Sequence, residues 1–573
     1  MNKQLKNLIF IFLGIILVKI ILSYFIPSSR ALADDYQYLK MSESFFYHFS
    51  LVVHNTFSGQ LYPLYPILIS ISHIFKDNNL VYLAIKIINS ILSSLIIFPA
   101  YYLSKEFLSD KKSFFTAIFI SLLPANFSLV SYIMAENLFY SLFLISIYFI
   151  YKAFKIKTYR YYFLAGLFTI LTLFTRIHGI ILILLIFIMI FFEILKKKLN
   201  LKYLIFILLI LTSLAFWYFS YKDTILNFYI YRYLSLIKFN LLLAFIIKFI
   251  SYFGFLLIGC GLILMLPLVI SFKIKDINLN LFRKIFLITL FISLALAAVH
   301  ALGSPRYFYN LGGLTLISGR IIGRYIDFCL PLIAILSFVG LDHYFKDKIN
   351  KNVLKKFTII LTFIMILTTS IILSPLVPLN NVSLTAFGVI RYVIDSLIYN
   401  NVSFEFGATL ASYLILSLIF VLLPLLNYYL LKKLNYRKII SLLLILLILN
   451  IFVSFIVVNY AARTSWYYNS EQRQLALFLN KIDPERSIVL IDERDEGDFV
   501  STVEYDPKPG RNEKALYTGN EQSKYTVLGY WLNDELIIGD VNDTDVDYII
   551  STYNLPYNKI YETKNGIYIY NFD

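Results

Sequence analysis

Cysteine is scarce in this chain, and the common metal-binding and nucleotide-binding motifs are missing. The 573 residues include only Cys260 and Cys329, both within apolar stretches, so cysteine usage indicates no disulfide framework and no redox compartment. No glycine-rich phosphate loop, dinucleotide-binding fingerprint, HExxH pattern or Cys/His cluster occurs. The acidic run from Asp540 to Asp547 lacks the central glycine and terminal glutamate of an EF-hand, and a solvated turn explains it better.

Acidic residues are also scarce over most of the chain. The 35 acidic and 51 basic residues give a formal net charge of +16, yet more than half of the acids lie beyond residue 463. Such a basic balance can indicate nucleic-acid binding, but lysines flanking membrane helices explain it better, and we expect no nucleic-acid partner. We therefore expect a membrane domain over 1–460 and a soluble acidic domain over 461–573.

Long apolar stretches, in contrast, are abundant. The chain is 59% hydrophobic with a mean hydropathy of +0.73, which is typical of a protein solvated largely by lipid. The first stretch is longer than a signal-peptide core and lacks a small-residue cleavage site, which predicts a retained helix. About thirteen spans are expected, at 8–26, 80–104, 113–131, 137–154, 161–176, 178–195, 201–221, 246–272, 285–302, 325–345, 357–376, 408–431 and 439–460.

Lysine clusters predict how these spans are oriented. They fall at every second connection, as at Lys196–Lys198 and around Lys346, and the positive-inside rule places those connections in the cytoplasm. An odd number of spans then puts the N-terminus in the cytoplasm and the C-terminal domain outside the cell. We therefore expect a multi-pass protein of the plasma membrane.

The segment beyond residue 460 has the pattern of a small α/β domain. One helical stretch, Glu471–Lys481, precedes strand-like runs separated by polar residues. These runs are 487–491, 525–531, 535–538, 548–551 and 566–570. The expected fold class is a polytopic α-helical membrane protein with a C-terminal extracytoplasmic α/β domain.

Arginines lie where the orientation rule disfavours them. The expected outer connections and span ends carry Arg30, Arg176, Arg232, Arg306, Arg320, Arg324, Arg391 and Arg463. A planar guanidinium suits bidentate binding of phosphate or carboxylate. This distribution favours anion binding at the outer face; random arginine usage with lipid-headgroup contacts is the alternative.

Two adjacent carboxylates, Asp34 and Asp35, follow the first span in a segment that reads as a helix along the membrane surface. An ionised carboxylate there is costly unless it is solvated, paired or functional, and one near an apolar wall suits a general base. The start of a solvated helix explains the pair equally well. Tyr62 and Tyr65 follow in a proline-rich run that predicts a rigid, extended approach to the second span.

Glu136 begins the fourth expected span, where the helix dipole stabilises a carboxylate, so capping alone accounts for it. Its position on the same expected membrane face as the aspartate pair favours a functional interpretation. Lys19 and Lys86 lie in the outer thirds of their spans, where snorkelling to the headgroups is the alternative to binding a lipid phosphate.

Two further motifs stand at the outer ends of spans. Arg176 and His178 lie between the fifth and sixth spans, and Arg320, Arg324 and Tyr325 open the tenth. Arginines in such places can clamp a lipid-linked phosphate. Snorkelling explains either motif taken alone.

Taken in order on one membrane face, these motifs resemble the GT-C superfamily of membrane glycosyltransferases, and most of all its protein O-mannosyltransferase and aminoarabinose transferase branch. The resemblance covers residues 1–345. It rests on the Asp34–Asp35 pair, the Tyr-Pro-Leu-Tyr-Pro run, the Ser-x-x-x-x-Glu-Asn motif, Thr-Arg-x-x-Gly and Gly-Arg-Tyr. It implies a GT-C fold of about thirteen transmembrane helices.

The resemblance also implies roles for the acidic residues. Asp34 would be the catalytic base, Asp35 would orient the acceptor or tune that base, and Glu136 would be the second-loop acid. Asp35 stands where the mannosyltransferases usually carry glutamate. No cofactor would be required, although Asp34 and Asp35 could hold a divalent cation.

The implied reaction is inverting transfer of a sugar from a polyprenyl-phosphate donor to a hydroxyl acceptor on a protein, a lipid or a cell-envelope glycan. Arg176, Arg320 and Arg324, with Tyr325 and Lys86, would bind the lipid phosphate. The residues Tyr62, Tyr65 and His178 would contact the acceptor or shape its loop.

A transporter or flippase of lipid-linked sugars is the main alternative. Such proteins often show internal repeats and discontinuous spans near the midplane. This sequence shows no repeat and concentrates its charges at one face. A non-catalytic membrane subunit would leave the acidic pair unexplained.

Overall fold

The structure is a computed structural model that describes most of the chain. The described residues are 3–29, 33–53, 56–57, 62–196, 202–224, 239–259, 263–302, 306–311, 314–319, 321–347, 351–368, 381–398, 410–464, 471–483, 487–492, 528, 530–541, 546–564 and 566–572. The chain forms two compact units. The first comprises Met1–Lys19, Ile91–Leu129 and Glu136–Val458, and the second Ile20–Ser90, Val130–Ala135 and Asn459–Asp573.

Helices make up most of the described chain, as its long apolar runs require. In chain order they are α1 (Lys3–Tyr24), α2 (Ala33–His48), α3 (Leu64–Ile69), α4 (Asn78–Ser94), α5 (Ile97–Ser104), α6 (Asp110–Ser121), α7 (Pro124–Phe127), α8 (Glu136–Ile156), α9 (Tyr159–Thr175), α10 (Ile180–Leu195), α11 (Tyr203–Thr224), α12 (Phe239–Gly259), α13 (Met265–Ser271), α14 (Ile277–Leu302), α15 (Leu330–Asp347), α16 (Lys351–Leu367), α17 (Thr385–Ile398), α18 (Leu410–Lys433), α19 (Tyr436–Thr464) and α20 (Glu471–Ile482).

Eight helical segments of the described chain are long and apolar enough to cross a membrane. They are Gln4–Tyr24, Asn78–Ser104, Glu136–Ile156, Ile177–Leu195, Ile277–Ala301, Asp327–Lys346, Ala411–Lys433 and Tyr436–Tyr460. A bent pair adds a ninth if it is counted as one span. The chain is therefore a multi-pass membrane protein, and the expected number of about thirteen spans stays a prediction.

Two expected spans differ from straight helices. The span expected at 246–272 is divided into α12 and α13. The span expected at 113–131 is bent by 66° where α6 gives way to α7. Pro124 begins α7 and has no N–H to donate, so the helical hydrogen-bond ladder stops before it. The Asn126 amide donates to the Ile120 carbonyl over 2.8 Å, which satisfies a polar group near the break.

The interior of the first unit is formed by apolar faces of its helices. Phe139 and Phe143 on α8 pack against Phe328, with ring centroids 5.4 and 4.6 Å apart. A Cβ at Gly340 on α15 would collide with the Pro267 carbonyl of α13, so only glycine permits these two helices to approach so closely. A two-stranded antiparallel hairpin, β3 (Arg306–Leu311) and β4 (Leu314–Gly319), precedes α15 and was not expected from the sequence.

The second unit contains α2, α3 and the C-terminal sheet. A small ladder, β1 (Val52–Val53) and β2 (Thr56–Phe57), follows α2. The sheet has strand order β6-β5-β7-β9-β8, with β5 parallel to both of its neighbours and the other pairs antiparallel. Its strands are β5 (Ile488–Asp492), β6 (Glu535–Gly539), β7 (Tyr548–Ser551), β8 (Asn558–Glu562) and β9 (Tyr568–Asn571). Leu490, Val546, Ile549 and Tyr570 form its buried core.

The predicted helix at Glu471–Lys481 and four of the five predicted strand runs are present in this domain as α20, β5, β6, β7 and β9. The strand predicted at 525–531 is wrong over its described part, because Leu528, Tyr530 and Trp531 are helical. Aromatic and branched residues favour a strand locally, but contacts made elsewhere in the chain decide the outcome. The second unit also includes Ile20–Ser90 and Val130–Ala135. The domain expected over 461–573 stays a prediction.

Candidate active site

Glu136 is the first residue of α8, and its side chain is 1% exposed. The positive end of the helix dipole stabilises a carboxylate in this position. Burial of an ionised carboxylate is nevertheless costly unless a cation accompanies it. The cation is Arg176, whose guanidinium forms an ion pair with the Glu136 carboxylate.

Arg176 is held in place by the break between α9 and α10. Its backbone is extended, and its N–H donates to the Thr172 carbonyl over 3.1 Å. A single turn of 3₁₀-helix, Ile177–Gly179, follows at once. A Cβ at Gly179 would lie 2.5 Å from the Leu173 Cα, so this tight turn requires glycine.

Arg324 brings a second guanidinium to the same carboxylate. Its Nη1 lies 3.8 Å from Glu136 Oε1, and its side chain is nearly buried, as is that of Arg176. All three residues lie at or just before the start of an apolar span. Two guanidinium groups thus meet at one carboxylate, and planar guanidinium groups suit the binding of phosphate or carboxylate.

The ring of Tyr325 lies against both cations. The guanidinium carbons of Arg176 and Arg324 are each 5.6 Å from its centroid, within the range of cation–π attraction. The His178 ring stacks on Tyr325 with centroids 5.3 Å apart, and the His300 ring meets it edge-on at 4.6 Å. Arg176, His178, Arg324 and Tyr325, each named from the sequence, therefore form one cluster with Glu136.

Side chains from other elements fix the backbone that presents Arg324. The Tyr252 hydroxyl on α12 accepts the Ile322 N–H over 3.1 Å. The Asn381 side-chain oxygen accepts the Gly323 N–H over 3.2 Å. Such bonds keep a short loop in one conformation and so preorganise its side chains.

Two more polar side chains complete this support. The Tyr140 hydroxyl on α8 donates to the Arg324 carbonyl over 3.2 Å. The buried Asp327 carboxylate accepts a hydrogen bond from the Ser383 hydroxyl over 2.9 Å. None of these supporting side chains was named from the sequence. Only Asp327 had a local signal, since it follows the Gly-Arg-Tyr motif at the start of an apolar span.

The aspartate pair lies in the first turn of α2, in the second unit. Asp35 is fully buried and accepts a hydrogen bond from the Ser29 hydroxyl. Asp34 is half-buried. The predicted helix is present here, and both carboxylates lie at its N-terminal end, where the dipole favours negative charge.

Tyr62 and Tyr65 are both buried in the second unit. The Tyr65 hydroxyl donates to the Asn89 side-chain oxygen over 2.9 Å, and its ring meets Tyr38 on α2 edge-on at 5.2 Å. Asn89 in turn donates to the Tyr132 carbonyl over 2.9 Å. These contacts give Tyr65 a packing role around α2, and an acceptor role for either tyrosine stays a prediction.

Lys86 is buried on α4 with its ammonium group at the end of α1. Its Nζ donates to the carbonyls of Ser23 and Ile26, each over 3.1 Å, and lies 4.4 Å from the Tyr82 ring centroid. Cations near a helix C-terminus stabilise its last carbonyls. These bonds favour a capping role over the predicted contact with a lipid phosphate.

Arg320 lies outside the described residues, so its predicted contact with a lipid phosphate stays a prediction.

Among the residues that the structure describes, no three or more His, Cys, Asp or Glu side chains come together as metal ligands. A divalent cation at Asp34 and Asp35 stays a prediction.

Solved structures similar to this chain include ArnT and an archaeal oligosaccharyltransferase. ArnT from Cupriavidus metallidurans in the apo state has a TM-score of 0.48 and 10% identity, covering 99% of this chain and 98% of its own. The same protein bound to undecaprenyl phosphate has a TM-score of 0.47 and 10% identity, covering 93% and 86%. The Archaeoglobus fulgidus oligosaccharyltransferase in the apo form has a TM-score of 0.40 and 10% identity, covering 94% and 69%.

At such scores and identities, this likeness assigns no residue and no substrate to the chain. No family model matches the sequence, and no curated protein matches it.

Proposed function

We propose that this protein transfers a sugar from a polyprenyl-phosphate donor to a hydroxyl acceptor at the outer face of the membrane. The observation that carries the proposal is the arginine pair, Arg176 and Arg324, gathered around Glu136 at the start of apolar spans. A phosphate that leaves from a sugar gains negative charge as its bond breaks. Guanidinium groups already in place stabilise that charge without reorganisation.

We assign the base of the reaction to the acidic pair. Asp34 accepts the proton of the acceptor hydroxyl, whose oxygen forms a bond to the anomeric carbon as the bond from that carbon to the phosphate oxygen breaks. The phosphate leaves with the bonding electron pair, and the configuration is inverted. Asp34 is half-buried and Asp35 fully buried, which supports a base at Asp34 and a helper at Asp35.

The lysine distribution supports an active site outside the cytoplasm. With the N-terminus in the cytoplasm and residues 461–573 outside, the motifs at the span starts face away from the nucleotide sugars of the cytoplasm. The donor must then be a sugar carried in the membrane. The acceptor is a hydroxyl group of a protein, a lipid or a cell-envelope glycan.

A direct assay tests this proposal. Purified protein in vesicles is supplied with undecaprenyl-phosphate sugars labelled in the sugar (mannose, glucose or aminoarabinose) and with membrane extract as the source of acceptor. Transfer of label to an acceptor, with release of undecaprenyl phosphate, is the expected result. Movement of intact donor between leaflets without transfer would show that the protein is a flippase and not a glycosyltransferase. The absence of both activities with all of these labelled donors would refute the proposal.

A further inference from the structure

A short segment of the C-terminal domain, residues 530–533, is anchored by hydrogen bonds to α20 and α4. The Asn480 amide on α20 donates to the Trp531 carbonyl over 2.9 Å and accepts the Asn533 N–H over 2.9 Å. The Asn533 side-chain oxygen accepts the N–H of Asn78, the first residue of α4, over 3.0 Å. The Asn78 amide also donates to the Tyr530 carbonyl over 3.3 Å. Three asparagines therefore connect α20 and α4 through this segment.

The anchored segment directs the Tyr530 hydroxyl to Ser29. This hydroxyl accepts the Ser29 N–H over 3.1 Å, and the Ser29 hydroxyl donates to the Asp35 carboxylate. All three residues are buried and belong to the second unit. The Tyr530 ring also packs against Tyr82 on α4, with centroids 6.4 Å apart.

These successive contacts orient the Asp35 carboxylate. A backbone N–H held by a fixed acceptor sets the position of Ser29, and the serine hydroxyl then fixes the rotamer of Asp35. Burial raises the pKa of Tyr530; the hydrogen bond from the Ser29 N–H opposes this rise and the negative charge of Asp35 adds to it, so the phenol stays protonated and neutral. Tyr530 therefore contributes a dipole and adds no second negative charge beside the carboxylate.

We propose that Tyr530 is a positioning residue for the transfer reaction, acting through Ser29 on Asp35. The inference rests on the proposed function, because it assigns this contact a role in the same acidic site. The C-terminal domain is then part of the catalytic machinery, since it supplies the hydrogen-bond acceptor of the Ser29 N–H. A purely structural brace would stabilise the fold without any selective effect on turnover.

Tyr530→Phe tests the role most simply, because it removes one oxygen and keeps the ring. Tyr570→Phe is the matched control. The Tyr570 hydroxyl is also buried in the C-terminal domain and also accepts a backbone N–H, from Leu555, over 3.1 Å. The Tyr530→Phe variant should lower kcat about tenfold with donor KM changed less than about twofold, because a positioning bond acts on the reacting geometry. The control also loses the bond that the Tyr570 hydroxyl donates to the Tyr553 carbonyl over 2.9 Å, so it is the more severe structural change. It should nevertheless keep wild-type kcat, although both variants lose some thermal stability.

Ser29→Ala separates the pathway from a general effect. Because Ser29 and Tyr530 act on Asp35 in series, the Ser29→Ala/Tyr530→Phe double variant should be no slower than the slower single variant. Equal kcat in Tyr530→Phe and Tyr570→Phe, or multiplicative losses in the double variant, would overturn the positioning role alone. A wild-type protein without any transfer activity would overturn the proposed function and this inference together.

Discussion

Glu136 and Arg176 form an ion pair that is buried at both ends, with side-chain exposures of 1% and 10%. The two residues begin different spans and come together only in the folded chain. A buried pair of this kind contributes little net stability, because desolvation offsets the attraction. Its main effect appears when one partner is removed and the other is left in a dry environment.

A double-mutant cycle should reveal this coupling. Glu136→Gln removes the carboxylate that both neighbouring guanidiniums contact and should cost about 3 kcal/mol in free energy of unfolding. Arg176→Gln should cost less, because Arg324 lies 3.8 Å from the same carboxylate and remains as a partner. The double variant should regain part of the loss, as measured by unfolding in detergent. Strictly additive losses would mean that the pair is not coupled.

The proposed base can be tested at a single oxygen-to-nitrogen change. Asp34→Asn should abolish transfer while expression and donor binding stay close to wild type, because the amide cannot accept the acceptor proton. Asp540→Asn, at an exposed aspartate of the C-terminal domain, is the control and should retain activity. Near-normal turnover in Asp34→Asn would remove Asp34 from the role of base.

Substitutions at Arg324 and at Lys86 should have different effects on donor KM. Arg324→Lys should raise donor KM about tenfold, because an ammonium cannot reproduce the planar pair of donors. Lys86→Met should leave donor KM unchanged and lower the free energy of unfolding by about 1–2 kcal/mol, since the carbonyls of Ser23 and Ile26 lose their donor.

Arg437→Lys, at an exposed arginine on the expected cytoplasmic side, controls for the loss of a guanidinium. If Lys86→Met raised donor KM as strongly as Arg324→Lys, the lysine would belong to the phosphate site after all.

Much of the helical architecture could be predicted because lipid solvation leaves a strong local signal. Apolar runs near 20 residues locate most spans, and the helix that carries Asp34 and Asp35 is present as α2. The cluster of Arg176, Arg324 and Tyr325 could be predicted from motifs at span starts. Charged residues near the membrane are costly unless they are paired or face the protein interior.

The remaining features depend on contacts between distant parts of the chain. The pairing of Glu136 with Arg176 could not be distinguished from simple capping of α8, because capping alone explains the sequence. Tyr252 and Asn381 hold the Arg324 loop through its backbone, and backbone partners leave no pattern in a sequence. Bonds to asparagine side chains likewise anchor the helical turn at Tyr530, where local propensity favours a strand.

The bond between Ser29 and Tyr530 joins residues 501 positions apart. During synthesis the N-terminal spans emerge first, and a contact of such high sequence separation forms only after nearly the whole chain has been made. Ser29, which donates to Asp35, therefore stays without Tyr530 until the C-terminal domain has folded. A nascent or truncated chain that has inserted its spans would lack the complete site, so late folding of this domain would time the onset of catalysis.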